Sequence, residues 1–238
     1  MTTPDIQVIS AKQSNHTKEG LKLYEDDMKK NFITFFQEKK YNEVIKLSKK
    51  LIIEFPENST LNSITGIAYL ELQKYESAIK FFENSLYFDQ KNPETYYCLG
   101  LALLRSKNFE KAIINFDKAI EIKNFYPEAY NNLATVYQEL DDFDNAKTNY
   151  QISIKQNPNN GNALSNLGLL MASYEQIDDA VNYHLQALKV NNNNDSYWLN
   201  LALTLKDNSP KIYTDELAKV YLSMFERKLP IDPLYIVN

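Results

Sequence analysis

The chain has 238 residues, 44% of them hydrophobic and 24% charged, with a formal net charge of −5. That is ordinary globular composition, ample for a sizeable core. The acidic balance gives no basic footprint for nucleic acid and no polycationic segment for an anionic membrane. The one cysteine, Cys98, excludes an internal disulfide and leaves too few thiols for a cysteine zinc site. No apolar run approaches a membrane span and no charged-then-apolar leader opens the chain, so a soluble, cytoplasmic protein is expected.

In chain order, residues 1–20 are polar without apolar periodicity and are expected to be disordered. From there to 238 the chain reads as one repeat array. Gly66, Gly100, Ala134, Gly168 and Ala202 are each 34 residues apart. Ala78, Ala112, Ala146 and Ala180 keep the same step, as do Phe82, Phe116, Tyr150 and His184. Four clear units follow at 59–92, 93–126, 127–160 and 161–194. A degenerate unit precedes them at 25–58, where Val44 and Ser48 stand in the alanine and aromatic columns.

Within each unit the spacing is helical. Tyr130, Leu133, Ala134 and Tyr137 fall at i, i+3, i+4 and i+7, the stripe of a first helix. The polar turn "DDFD" follows, and Ala146, Tyr150 and Ser153 mark the contact face of a second helix that Pro158 ends. One such pair cannot bury its apolar face, so neighbours must stack. The chain's five glycines fit this picture, since two-helix units are expected to need few positive-φ positions. A variant unit at 195–232 starts with Trp198, Leu201 and Ala202, and "DNSPKIYTDE" lengthens its turn before a helix from near Thr214 to Arg227. "LPIDPLYIVN" then either folds back over that helix or leads into a further domain.

These columns resemble the tetratricopeptide repeat (TPR), whose aromatic-x₂-Leu-Gly-x₂-Tyr…Ala-x₃-Phe-x₂-Ala…Pro pattern matches Tyr130, Leu133, Ala134, Tyr137, Ala146, Tyr150, Ser153 and Pro158. The resemblance covers roughly residues 25–232. It implies an all-α, right-handed superhelical solenoid of five to six antiparallel helix pairs, with the first helices lining a concave face.

One polar residue recurs on those first helices. Asn132, Asn166 and Asn200 occupy the same position of successive units, while Cys98 and Ile64 hold it earlier. The row resembles the asparagine ladder of the TPR domain of O-linked N-acetylglucosamine transferase, which lies against bound peptide backbone. An alternative is that each amide bonds a neighbouring helix. Three rungs at roughly 0.5–1.5 kcal/mol each reach at best about millimolar affinity, so side-chain pockets must add the rest. The resemblance points to Tyr97, Leu101 and Arg105, then Asn131, Thr135 and Gln138, then Leu169, Leu203 and Lys206 as peptide-binding residues. The chaperone-tail clamp is not expected, because its basic positions hold Tyr97, Asn131, Ser165 and Leu199.

Chemistry is hard to assemble. Of two histidines, His16 lies in the polar tail and His184 fills an aromatic column, which reads as packing. No metal spacing, phosphate loop or nucleophile–base set stands out, so no cofactor, no metal and no catalysis are expected. The acidic turn Asp141, Asp142, Asp144 lacks the later glutamate and central glycine of a calcium loop and reads as a helix start. The expected function is a protein–protein interaction module that binds a peptide or protein segment. Two alternatives are a substrate-recruiting or assembly module of a glycosyl-, sulfo- or methyltransferase, and a scaffold that self-associates through the solenoid ends.

Overall fold

The computed structural model describes residues 30–206, 208, 210, 215–227 and 229. The 1–20 tail, most of the lengthened turn and the C-terminal apolar segment beyond Leu229 lie outside the described residues. Among the described residues there are twelve helices and no strand. They are α1 (30–37), α2 (Tyr41–Glu54), α3 (Ser59–Glu71), α4 (Tyr75–Phe88), α5 (Pro93–Arg105) and α6 (Phe109–Ile122). Then come α7 (Pro127–Glu139), α8 (Phe143–Gln156), α9 (Gly161–Ser173), α10 (Ile177–Val190), α11 (Asp195–Lys206) and α12 (Asp215–Glu226). The variant unit's second helix therefore begins one residue after Thr214, close to its expected start.

The chain forms two compact bodies that divide between Phe88 and Asp89. In the first, α2 packs on α3 and α3 on α4. Phe32, Val44, Leu51, Leu61 and Ala68 make one buried cluster. The aromatic column is interrupted by Ser48, and the fold uses that change. Thr65 Oγ1 bonds Ser48 Oγ at 2.7 Å, a buried polar link across α2 and α3 where the other repeats place a ring.

In the second body, α5 packs on α6, α7 on α8 and α9 on α10, and each second helix also meets the next first helix. The first helices α5, α7, α9 and α11 touch in series. A large cluster at the far end joins Trp198, Leu201, Leu205, Leu217, Tyr221 and Met224.

Close approach within a pair depends on the small column. A Cβ on Gly100 would lie 2.7 Å from the Phe116 ring, and one on Gly66 would lie 2.6 Å from Phe82. Ala134 faces Tyr150 in the corresponding place. The rings are fully buried, so an added methyl there would have to displace packed core.

Helix starts explain part of the asparagine content. Asn58, Asn92 and Asn160 cap α3, α5 and α9 by accepting the amides of Leu61, Thr95 and Ala163. Asn194 accepts from Ser196 ahead of α11. These side chains satisfy orphan donors of a first turn. The acidic turn behaves likewise, with Asp142 accepting the Asn145 amide at the start of α8.

The turns correct one expectation from the sequence. Lys39, Gln73, Lys107, Asp141 and Glu175 all have positive φ, from 54° to 61°, and no described glycine does. Each closes a helix with the same pair of bonds. Around Lys107 these are the Asn108 amide to Leu103 O at 2.8 Å and the Lys107 amide to Leu104 O at 3.0 Å. That is a Schellman turn, which requires a left-handed residue. The glycines of this chain are spent on helix contact instead, so the turns carry strained polar residues. Replacing exposed Glu175 by Gly should relieve the left-handed cost, a net gain of about 0.5–1 kcal/mol after glycine's extra entropy. A higher urea midpoint with unchanged slope is the expected reading.

His184 is fully buried, as its column implies. Nε2 lies 3.1 Å from Thr204 Oγ1, and Nδ1 has no partner among the described residues. The ring packs against Gly168. Burial lowers its pKa to about 4 from an ordinary 6.5. The unfolded chain therefore binds the extra proton first. The contribution is complete above about pH 6.5 and is lost as pH falls towards 4. His184→Phe, which copies Phe116 opposite Gly100, should flatten unfolding free energy across that window by up to about 3 kcal/mol. Chemical denaturation at several pH values reads it directly.

Candidate functional site

The candidate residues fall on the first helices of the second body, and the structure sorts them into two groups. The asparagines come first. Asn132 Nδ2 donates to Tyr97 Oη at 3.0 Å and to Glu128 O at 3.0 Å. Asn166 Nδ2 donates to Asn131 Oδ1 at 3.2 Å, and Asn200 Nδ2 to Ser165 Oγ at 2.9 Å. In all three, the inter-helix partner lies 35 residues earlier, on the preceding first helix. The recurring amide therefore ties each first helix to the one before it.

Other face residues are committed to packing, Tyr97 and Asn131 in these links and Gln138 and Thr135 to Tyr150 on the paired second helix. Tyr97 is half-buried, with its ring 5.1 Å from Tyr126 and 6.0 Å from Phe116, and burial pushes its hydroxyl up to about 12. Asn131 accepts from Asn166 and so serves packing. Gln138 Oε1 accepts from Tyr150 Oη at 2.9 Å, which turns its carbonyl towards the second helix. Thr135 Oγ1 donates to Asn131 O at 3.1 Å and lies 3.2 Å from Tyr150 Oη. Three of the four positions a chaperone-tail clamp would use, Tyr97, Asn131 and Ser165, are thus occupied by acceptors for the next repeat's asparagine, and the fourth holds Leu199.

The second group borders open space. A cleft of about 400 Å³ is lined by Arg105, Lys107, Asn132, Thr135, Glu139 and Asn166 above Leu104 and Phe109. It brings four of the expected residues together: Arg105, Asn132, Thr135 and Asn166. Lys107 is an addition to the expected set. It sits in the left-handed turn, and its only sequence signal is its place directly after the first helix. Of the expected apolar stripe, Leu101 and Leu169 are half-buried, whereas Leu203 is 47% exposed. Leu199, one turn earlier, is 43% exposed. Lys206 is exposed at the end of α11.

Among the described residues, no group of three or more His, Cys, Asp or Glu could hold a metal ion. Nor is any described helix long and apolar enough to cross a membrane. Cys98 is half-buried on α5.

Family models described as tetratricopeptide repeat match residues 93–125 and 127–160, and one described as TPR repeat matches 66–107. Residues 66–160 are tetratricopeptide repeats. Solved structures agree on the fold. MamA is 25% identical with a TM-score of 0.62, over 69% of this chain and 96% of that one. PilF of Pseudomonas aeruginosa is 17% identical with a TM-score of 0.68, over 85% of this chain and 90% of that one. YrrB, described as a TPR protein with an unusual peptide-binding site, is 18% identical with a TM-score of 0.56, over 76% and 98%. No curated protein sequence matches the chain. Repeats of this family support a role in protein–protein interaction.

Proposed function

We propose that this TPR protein binds a peptide or protein segment along the face formed by α5, α7, α9 and α11, without catalysing a reaction on it. The observation that carries the reading is the combination on that face of a cleft edged by fixed amides and the two exposed leucines, Leu199 and Leu203. Fixed polar groups beside exposed apolar side chains are what extended-segment recognition needs: main-chain hydrogen bonds give affinity and apolar anchors give specificity. Preorganisation lowers the cost of binding, since the amides are already held by the preceding helix. The peptide-binding site described for YrrB is consistent with such a role, and the residues invoked here are this chain's own.

Surface substitutions test this without unfolding the array. Leu199→Asp with Leu203→Asp removes both exposed leucines. Affinity capture from a lysate of the source organism should lose a partner held by wild type, and the purified partner should show the same loss in solution. Equal capture by wild type and variant, with equal helicity, would rule this face out.

A further inference from the structure

Resting on the peptide-binding reading, we infer that the face takes an extended segment with a carboxylate side chain at one end and a large apolar side chain at the other. Between them, the segment's main-chain N–H groups donate to the asparagines.

The polarity of the asparagine row comes first. Glu128 O can only accept, so the Asn132 nitrogen is fixed on that side and donates both to it and to Tyr97. The Asn132 Oδ1 accepts from no described residue, and Asn132 lines the cleft. Asn166 and Asn200 each spend one of their two amide hydrogens on the preceding helix. The row therefore offers a ligand a carbonyl acceptor at every rung, alone at Asn132 and beside a second amide hydrogen at Asn166 and Asn200. Backbone N–H groups are the complement an extended chain carries at every second residue on one side.

Charge fixes the ends. The cleft crosses the helices obliquely, meeting α5 in its last turn at Leu104 and Arg105, α7 at Asn132 and Thr135, and α9 at Asn166. Its α5 side carries Arg105 and Lys107, both exposed, whereas Glu139 borders it on α7. An acidic side chain is favoured at the α5 end and opposed at the α7 side, within a chain of net charge −5. The lining of the cleft ends at Asn166; a segment that ran on along its line to the next first helix, α11, would meet the exposed Leu199, with Leu203 one turn on. Lys206 lies seven residues beyond Leu199, about 10 Å further along the helix axis, and so stands off that line.

Length follows from geometry. Three intervals between first helices of about 8–10 Å each, with an axial offset of about 12 Å, give a path of about 27–32 Å. At about 3.3 Å per residue that is about eight to ten residues.

Randomised decapeptides displayed on phage and selected on the purified full chain provide the test. Enriched sequences should carry Asp or Glu at one end and Leu, Ile, Phe or Met at the other, in either chain direction. By fluorescence anisotropy, Arg105→Glu with Lys107→Glu should weaken a selected peptide at least about tenfold, since two attractive charges become repulsive ones. Both changes copy sister repeats, since Glu139 and Glu175 fill the corresponding positions, so the fold should persist. N-methylation of a central amide should weaken binding several-fold. Peptides that bind and are displaced by first-helix substitutions, yet are basic-ended or indifferent to the glutamates, would overturn this ligand class and leave the peptide-binding reading standing. Failure to enrich any peptide, or enrichment insensitive to every first-helix change, would overturn both.

Discussion

Each first helix from α7 onward is tied to its predecessor by one asparagine amide, and the order of the binding face depends on that bond. Apolar burial holds the repeats together, but it is non-directional and tolerates sliding. A hydrogen bond has distance and angle requirements. Placing the donor on one helix and its acceptor 35 residues earlier fixes the register of neighbouring helices. The acceptor varies, from a tyrosine hydroxyl to an asparagine carbonyl to a serine hydroxyl, while the donor stays asparagine. A half-buried amide at such a joint costs free energy if left unmade, which penalises slipped arrangements.

The same division of labour appears inside each pair. Glycine at the small column lets a Phe or His ring press against the helix backbone, and alanine suffices where Tyr150 stands opposite. The turns that join the two helices of each pair need left-handed residues and use lysine, glutamine, aspartate or glutamate. Conformational strain is thus accepted at exposed turns, while the residue free of that strain is reserved for the core. A consequence is that Lys107, a turn residue, reaches the rim of the cleft.

The fold was legible because it is periodic. Columns of Gly or Ala, aromatics and alanine at a 34-residue step report packing that every repeat shares, and helix starts at 59, 93, 127, 161 and 195 follow them. The candidate site was legible only in part, because which way a polar side chain turns depends on the neighbouring repeat. Tyr97, Asn131 and Gln138 occupy face positions by their spacing, yet their polar atoms meet the adjoining helix. Arg105 and Lys206 have no such partner within reach of the repeat pattern and stay at the surface. Capping asparagines at 58, 92, 160 and 194 were hidden in a sequence rich in asparagine, although their own 34-residue spacing was a usable signal.

The most direct test of the account is a double-mutant cycle on Asn132 and Tyr97, with Asn132→Ala, Tyr97→Phe and the pair compared by urea unfolding. A coupling of about 0.5–1.5 kcal/mol is predicted, because the two side chains share one hydrogen bond between successive first helices. Additive effects, within about 0.3 kcal/mol, would contradict the inter-helix bond and return the asparagine nitrogens to the ligand-facing side.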